Sequence, residues 1–507
     1  MPDVPIRRFL LRHGWLVAIA AAYLYIFPYY PKIHSANELP RIYLVKAIVE
    51  DHTFAIDHGV QQWGGTSDLS AHDHHYYANK APGASLLVVP FYAAVTWSLG
   101  EPSLAETMWL CRIVTGVIPS LVFLWLLYGF LERYAPQPEI RRLVLIAYAL
   151  GSLAMTYSLL YYSHQLSAVC LGSAWILALD AADRKRGRGA VAIAGFLLGS
   201  SVLVDYQAAF AVLPIAIHVL VRMRQARWTW AEIGAALGIA AIATAVPIAI
   251  LLYYHAACFG SPLATGYNYA ITYGSDHVHG LLGMTTPTWT AVVGTMVAPD
   301  NGFFTLAPWW LLAIPGGVVL WRARERGTVV AAAVIAFIFI YFITSLAFWR
   351  AGWEIGPRYI TAMQPFLLPL VCAALASWRD RPLAIGAASG AIVAGVIIYS
   401  LTSATLPYWP DAIKNPLYEV TFRLLRDGAV APSVGRVVGG GLLGIAPFLA
   451  GIAALVGWAI ARASNLRGLA LAAVIGAALI GAFALAPRDA VVADRAYANT
   501  LYPAVAQ

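Results

Sequence analysis

The chain opens its longest polar stretch with Ser35-Ala-Asn-Glu-Leu-Pro-Arg41 and brings it toward its end at Pro90 with His74-His-Tyr-Tyr-Ala-Asn-Lys-Ala-Pro-Gly83. Acids, histidines and a lysine gather here, directly after the first apolar run, in a sequence otherwise suited to lipid. The stretch reads as the floor of an active site.

Outward from it, composition sets the class. Of 507 residues 60% are hydrophobic and 11% charged, and the mean hydropathy is +0.69. A soluble globule of this length needs more polar surface. The chain is therefore expected to be an all-α polytopic membrane protein. Cys111, Cys170, Cys258 and Cys372 are scattered and mostly fall in apolar runs, which supports neither a disulfide framework nor a cysteine metal site.

An α-helix needs about 20 residues to cross the hydrocarbon core. About thirteen runs qualify: 14–31, 107–131, 142–160, 163–181, 189–204, 206–222, 231–254, 302–321, 328–348, 358–377, 383–401, 437–461 and 468–486. With the N-terminus in the cytoplasm, every second connection is basic, from Arg7, Arg8 and Arg12 through Arg184, Lys185, Arg186 and Arg188 to Arg462 and Arg467. These short connections hold 20 of the 33 Lys and Arg, as the positive-inside rule requires. The charge of +8 is mostly this dispersed ring, which argues against a nucleic-acid partner.

The same topology sorts the chemistry. A membrane domain over 1–487 carries extracytoplasmic loops at 32–106 and 255–301, shorter ones at 349–357 and 402–436, and a short tail at 488–507. Nearly all unusual polar residues lie in these loops. The opposite face has no Gly-rich nucleotide-triphosphate loop. A transferase working here would need an activated donor that arrives through the membrane.

Within the first loop, Ser35 to Glu38 has capping-box spacing, and Leu39, Ile42, Val45 and Val49 recur at helical intervals. A short amphipathic helix lying on the membrane surface is expected. Glu38 is open to two readings, a helix cap or a catalytic carboxylate held ionised by Arg41. Lys80 falls at headgroup depth, where an ammonium can bind a lipid phosphate or simply snorkel. His72, Asp73, His74 and His75 could form a metal site, a solvated loop or an acceptor contact, but they lack fixed ligand spacing. Asp276, His277 and His279 are further metal or sugar candidates. Asp205 and Asp300 are possible acceptor contacts, while His164 reads as structural.

The pattern Asn37-Glu38-x-x-Arg41, Ala47-Ile-Val-Glu50, Thr53-Phe-x-Ile-Asp57 and Tyr77-x-Asn79-Lys80-x-Pro82 resembles the first loop of the polytopic C-superfamily glycosyltransferases. Bacterial aminoarabinose transferases and protein mannosyltransferases are the nearest kin in motif. Asn37 and Asn79 stand where that family has acids.

The resemblance implies inverting transfer of a sugar from a polyprenyl phosphate to a lipid, glycan or protein acceptor at the outer face of the cytoplasmic membrane. Glu38 would be the base, with Asp57 in reserve. Lys80, Arg358 and Arg350 would bind the donor phosphate, supported by Asn37, Arg41, Tyr77, Asn79, Trp353, Glu354 and Tyr359. No cofactor is assigned, and a divalent metal ion is possible. A transporter or lipid-linked sugar flippase is the alternative; against it, no repeat is visible and the polar residues cluster at one face.

Overall fold

The computed structural model describes residues 5–33, 35–272, 274–277 and 283–488. Among these, nine helices are long and apolar enough to cross a membrane, and the chain is a mostly helical multi-pass membrane protein. A tenth span forms if the helices Pro138–Leu150 and Leu153–Leu159, bent by 55°, count as one.

The bend has a local cause in Gly151 and Ser152. Trp309 Nε1 donates to the freed Gly151 carbonyl at 2.7 Å, and Ser152 Oγ accepts from the Ala154 amide at 3.1 Å. Both contacts replace lost helical bonds.

Length and apolarity alone do not reproduce thirteen spans. His13–Tyr25 and Arg188–Val204 are apolar but short. The expected run 302–321 divides into Phe303–Leu306, Pro308–Leu312 and Ala313–Arg322. Pro308 has no amide hydrogen for a helical ladder and pushes Ala307 out of the helical region, to φ −138° and ψ 72°.

Lipid offers no hydrophobic drive between helices, so close backbone approach does the packing. A Cβ on Gly195 would lie 2.4 Å from the Ala240 carbonyl oxygen, which ties Arg188–Val204 to Trp230–Phe259.

At the arginine-rich end, charges close on acids. Arg133 meets Asp180 at 2.5 Å and Asp183 at 3.2 Å, and Arg222 meets Asp183 at 2.6 Å.

The first loop folds into the helix Leu39–Lys46, a π-turn Ala47–Asp51, the helix Asp57–Trp63, strands β1 (Leu69–His72) and β2 (His75–Ala78), and the helix Gly83–Leu99. The hairpin adds a small sheet to the expected all-α fold. It is antiparallel, with Leu69 opposite Ala78 and His72 opposite His75. Asp73 and His74 turn it at φ 48° and 64°, the conformation a two-residue hairpin turn demands.

The helix Leu39–Lys46 does not lie on a surface, because all eight of its residues are buried. Its cations have internal partners. Lys46 Nζ reaches Glu50 at 2.9 Å, Glu101 at 2.8 Å and the Tyr92 hydroxyl at 2.8 Å.

Candidate functional site

Glu38 occupies the N-cap of Leu39–Lys46, but no side-chain cap forms. Its carboxylate is drawn elsewhere. Arg112 donates to Oε1 from Nε at 3.1 Å and from Nη2 at 2.9 Å, the Tyr161 amide donates to Oε1 at 2.6 Å, and the Tyr408 hydroxyl donates to Oε2 at 2.5 Å. Burial holds the Tyr408 phenol far above its ordinary value, with the Glu38 charge adding to the effect, so it donates as a neutral hydroxyl.

Glu38 is fully buried within this set of donors. Arg41, the partner expected from sequence, instead donates to Asn37 Oδ1 at 3.2 Å, the Ala81 carbonyl at 3.2 Å and Ser163 Oγ at 3.1 Å. It buttresses the loop from behind.

Two cavities meet at this point. One, of about 350 Å³, is lined by Asn37, Asp68, Lys80, Tyr162, Asp205, Tyr206, Gln207, Tyr267, Trp353, Arg358, Tyr359 and Asp411, among others. The second, of about 420 Å³, is lined by Tyr29, Tyr30, Glu38, Trp63, Leu104, Met108 and Arg112, among others. Ile33, Ser35 and Tyr408 belong to both walls.

Lys80 and Arg358 converge on the first cavity from different parts of the chain. Lys80 follows β2 and lies 3.2 Å from Asp68, with its ammonium 5.2 Å from the centre of the Tyr267 ring. Arg358 begins the turn Arg358–Met363 and sits 5.3 Å from each of the Tyr162 and Tyr359 rings. Its Nη1 meets Glu354 Oε2 at 2.7 Å, while its buried Nε has no hydrogen-bond partner in the protein.

Burial pushes the Glu354 carboxyl up to about 8, against the pull of Arg358 and then of Arg350. A raised carboxyl is a weaker counter-charge to Arg358 than an ordinary glutamate. Arg358 is thus a buried cation with an N–H to offer.

Other expected residues fall elsewhere. Arg350 pairs with Asp300 and is not among the residues that line the first cavity. Asp57 lines neither cavity. Its Oδ1 accepts from the Tyr76 amide at 2.9 Å and its Oδ2 lies 2.8 Å from His75 Nδ1, which fastens the hairpin. Tyr77 packs edge-on against Phe259, and Asn79 Nδ2 reaches Asp68 at the long distance of 3.5 Å.

The hairpin sets His72 opposite His75, but their side chains turn to different partners, His72 Nδ1 to the Cys258 carbonyl at 3.1 Å and His75 Nδ1 to Asp57. Asp276 and His277 lie on the short helix Gly274–His277, and His279 lies outside the described residues. Among the described residues no group of three His, Cys, Asp or Glu suits a metal ion. The four cysteines are buried and free.

Sequence reasoning named Tyr359 but missed Arg112, Asp68, Tyr408 and the other two tyrosines around the cations, Tyr162 and Tyr267. A signal existed for Arg112: it sits inside an apolar run, where a charge costs about 2.5–3.5 kcal/mol unless it faces a polar partner.

No family model and no curated protein matches the chain. Among solved structures, ArnT from Cupriavidus metallidurans bound to undecaprenyl phosphate is similar, with 13% identity over 94% of this chain and 78% of that one and a TM-score of 0.51. Its apo state gives 14% identity, the shares 94% and 77%, and a TM-score of 0.49. The apo oligosaccharyltransferase of Archaeoglobus fulgidus gives 13%, 82% and 58%, and 0.46. The likeness to undecaprenyl-phosphate-bound ArnT is one of fold, and it supports the resemblance carried by the first-loop pattern.

Proposed function

We propose that this protein is an inverting glycosyltransferase that takes a sugar from a polyprenyl-phosphate donor in the first cavity and transfers it to a lipid, glycan or protein acceptor. The single observation that carries this reading is the pairing of Lys80 with Arg358 on one cavity, where Arg358 keeps a buried N–H without a partner. The fold shared with ArnT bound to undecaprenyl phosphate supports the same donor class. The basic connections on the opposite face support a site on the extracytoplasmic side of the cytoplasmic membrane.

The chemistry follows from charge. The acceptor oxygen attacks the anomeric carbon from the face opposite the phosphate, and the carbon–oxygen bond to phosphate breaks with its electron pair left on the phosphate. Negative charge grows there in the transition state, where preplaced cations count most. Lys80 and Arg358 supply it. Asp68 holds Lys80 in place until the donor phosphate competes for the ammonium.

Glu38, which the resemblance made the base, we read as a positioning group. Arg112, the Tyr161 amide and Tyr408 already engage it, and it fixes the wall between the cavities.

The test is transfer of labelled sugar from a panel of short-chain polyprenyl-phosphate donors by purified protein in nanodiscs, with membrane extract as acceptor. Wild type should consume a donor, and Lys80→Ala and Arg358→Ala should lose about 10²- to 10³-fold in rate, the usual cost of one preorganised charge donor. A wild type that neither binds nor consumes any donor, yet moves solute in proteoliposomes, would replace this reading with transport.

A further inference from the structure

The transferase reading leaves the acceptor proton without a destination. We infer that Asp205 is the base that receives it and that His164 positions Asp205; the inference rests on that reading. Asp205 stands where the helix Arg188–Val204 gives way to the turn Tyr206–Ala208, and it lines the cavity that holds Lys80 and Arg358.

Its two oxygens differ. Oδ2 lies 2.8 Å from His164 Nδ1 and accepts from Gln207 Nε2 at 3.1 Å. Oδ1 takes no hydrogen bond from the described residues. One oxygen anchors the carboxylate and the other is left for a ligand.

The remaining acids at the two cavities are differently placed. Asp68 is bonded to the Lys80 ammonium and Glu38 to the Arg112 guanidinium. Asp411 lies within the field of Arg350. A carboxylate tied to a cation is a weaker proton acceptor. Asp205 is hydrogen-bonded to an imidazole and an amide, with no lysine or arginine among its partners.

His164 is itself fixed. It is 4% exposed, and the rings of Tyr359, Tyr157 and Tyr162 surround it at 5.4, 5.9 and 6.1 Å. To donate to Asp205 it must carry its proton on Nδ1, and its buried Nε2 has no partner in the protein. Tyr162 and Tyr359 also seat Arg358. The same two rings therefore hold the phosphate-side arginine and the base-side histidine in register.

In the transfer step the acceptor O–H proton passes to Asp205 Oδ1 as the oxygen bonds the anomeric carbon. The bond from that carbon to the phosphate oxygen breaks, and its electron pair leaves with the polyprenyl phosphate. Water reclaims the proton after product release.

The experiment is steady-state transfer with the donor that wild type consumes, for Asp205→Asn, Asp205→Ala, His164→Ala and His164→Asn, with polyprenyl-phosphate affinity measured beside it. Loss of a general base should lower kcat about 10²- to 10⁴-fold, with the donor KM and phosphate affinity held within about threefold of wild type. Formate should restore part of the Asp205→Ala rate, which a purely structural role would not allow. His164→Asn, whose amide can donate where Nδ1 does, should keep more kcat than His164→Ala at unchanged KM.

An active wild type with Asp205→Asn within about threefold of its kcat would overturn the inference and leave the transferase reading standing. Loss in Asp411→Asn with Asp205→Asn intact would overturn it in favour of Asp411. A wild type that binds and consumes no donor would overturn both.

Discussion

The two cavities share the Tyr408 wall but treat buried charge in opposite ways. In the second, Glu38 and Arg112 engage one another twice, and Tyr408, the Tyr161 amide and the Pro28 carbonyl take up further valences. In the first, Lys80 leans on a single carboxylate, Arg358 keeps an N–H without a partner among the described residues, and the hydrogen bonds of Asp205 from described residues fall on Oδ2 alone. Burial of charge alone does not mark a binding site. Hydrogen-bonding capacity left unsatisfied inside a cavity does.

The sharpest way to break this contrast is Arg112→Ala. It strands the Glu38 carboxylate in the interior, which costs about 3–5 kcal/mol when one partner of a buried pair is removed. Thermal unfolding in detergent should show a large drop, and Arg112→Lys should recover little of it because the shorter ammonium side chain does not reproduce the guanidinium's bonds to Glu38 Oε1, Tyr408 and the Pro28 carbonyl. An unchanged midpoint would show that the second cavity is not held by this pair.

A smaller effect separates the cavities by pH. The Glu354 carboxyl, pushed up to about 8 from an ordinary 4.5 by burial, is more easily protonated in the folded chain than in the unfolded one. Its contribution to stability is therefore full below about 4.5 and lost as pH rises toward 8. Over the upper part of that range the carboxylate that forms also neutralises Arg358, so polyprenyl-phosphate affinity should weaken through about pH 8. Glu354→Gln should flatten both profiles. A wild-type profile that Glu354→Gln leaves unaltered would remove Glu354 from the account.

The smallest effect is expected at the opposite end of the bundle. The exposed pair Arg184–Glu232, at 3.0 Å, is screened by solvent. Arg184→Ala should leave both unfolding midpoint and phosphate affinity unchanged.

Much of this arrangement was legible in the chain. The membrane class and the basic connections follow from composition at the scale of a span. Lys80 and Arg358 stood out because a cation beside an apolar run needs an explanation. The capping box at Ser35–Glu38 misled, since tertiary partners outbid local ones: Arg112 is 74 residues from Glu38, and Tyr408 is 370 away. No local spacing encodes such a meeting.

Asp57 misled for a related reason, because the hairpin that claims it carries none of the usual Asn-Gly turn chemistry. The break in 302–321 was visible as Pro308, yet hydropathy averages across a proline.

The central claim is that the first cavity holds the donor phosphate through Lys80 and Arg358. Its most direct test is the affinity of purified protein in nanodiscs for polyprenyl phosphate alone, compared across wild type, Lys80→Ala and Arg358→Ala at matched fold stability. The account predicts saturable binding by wild type that weakens at least about tenfold in each variant, as loss of a charge-assisted hydrogen bond of about 1.5–3 kcal/mol requires. Equal affinity in all three proteins would contradict it.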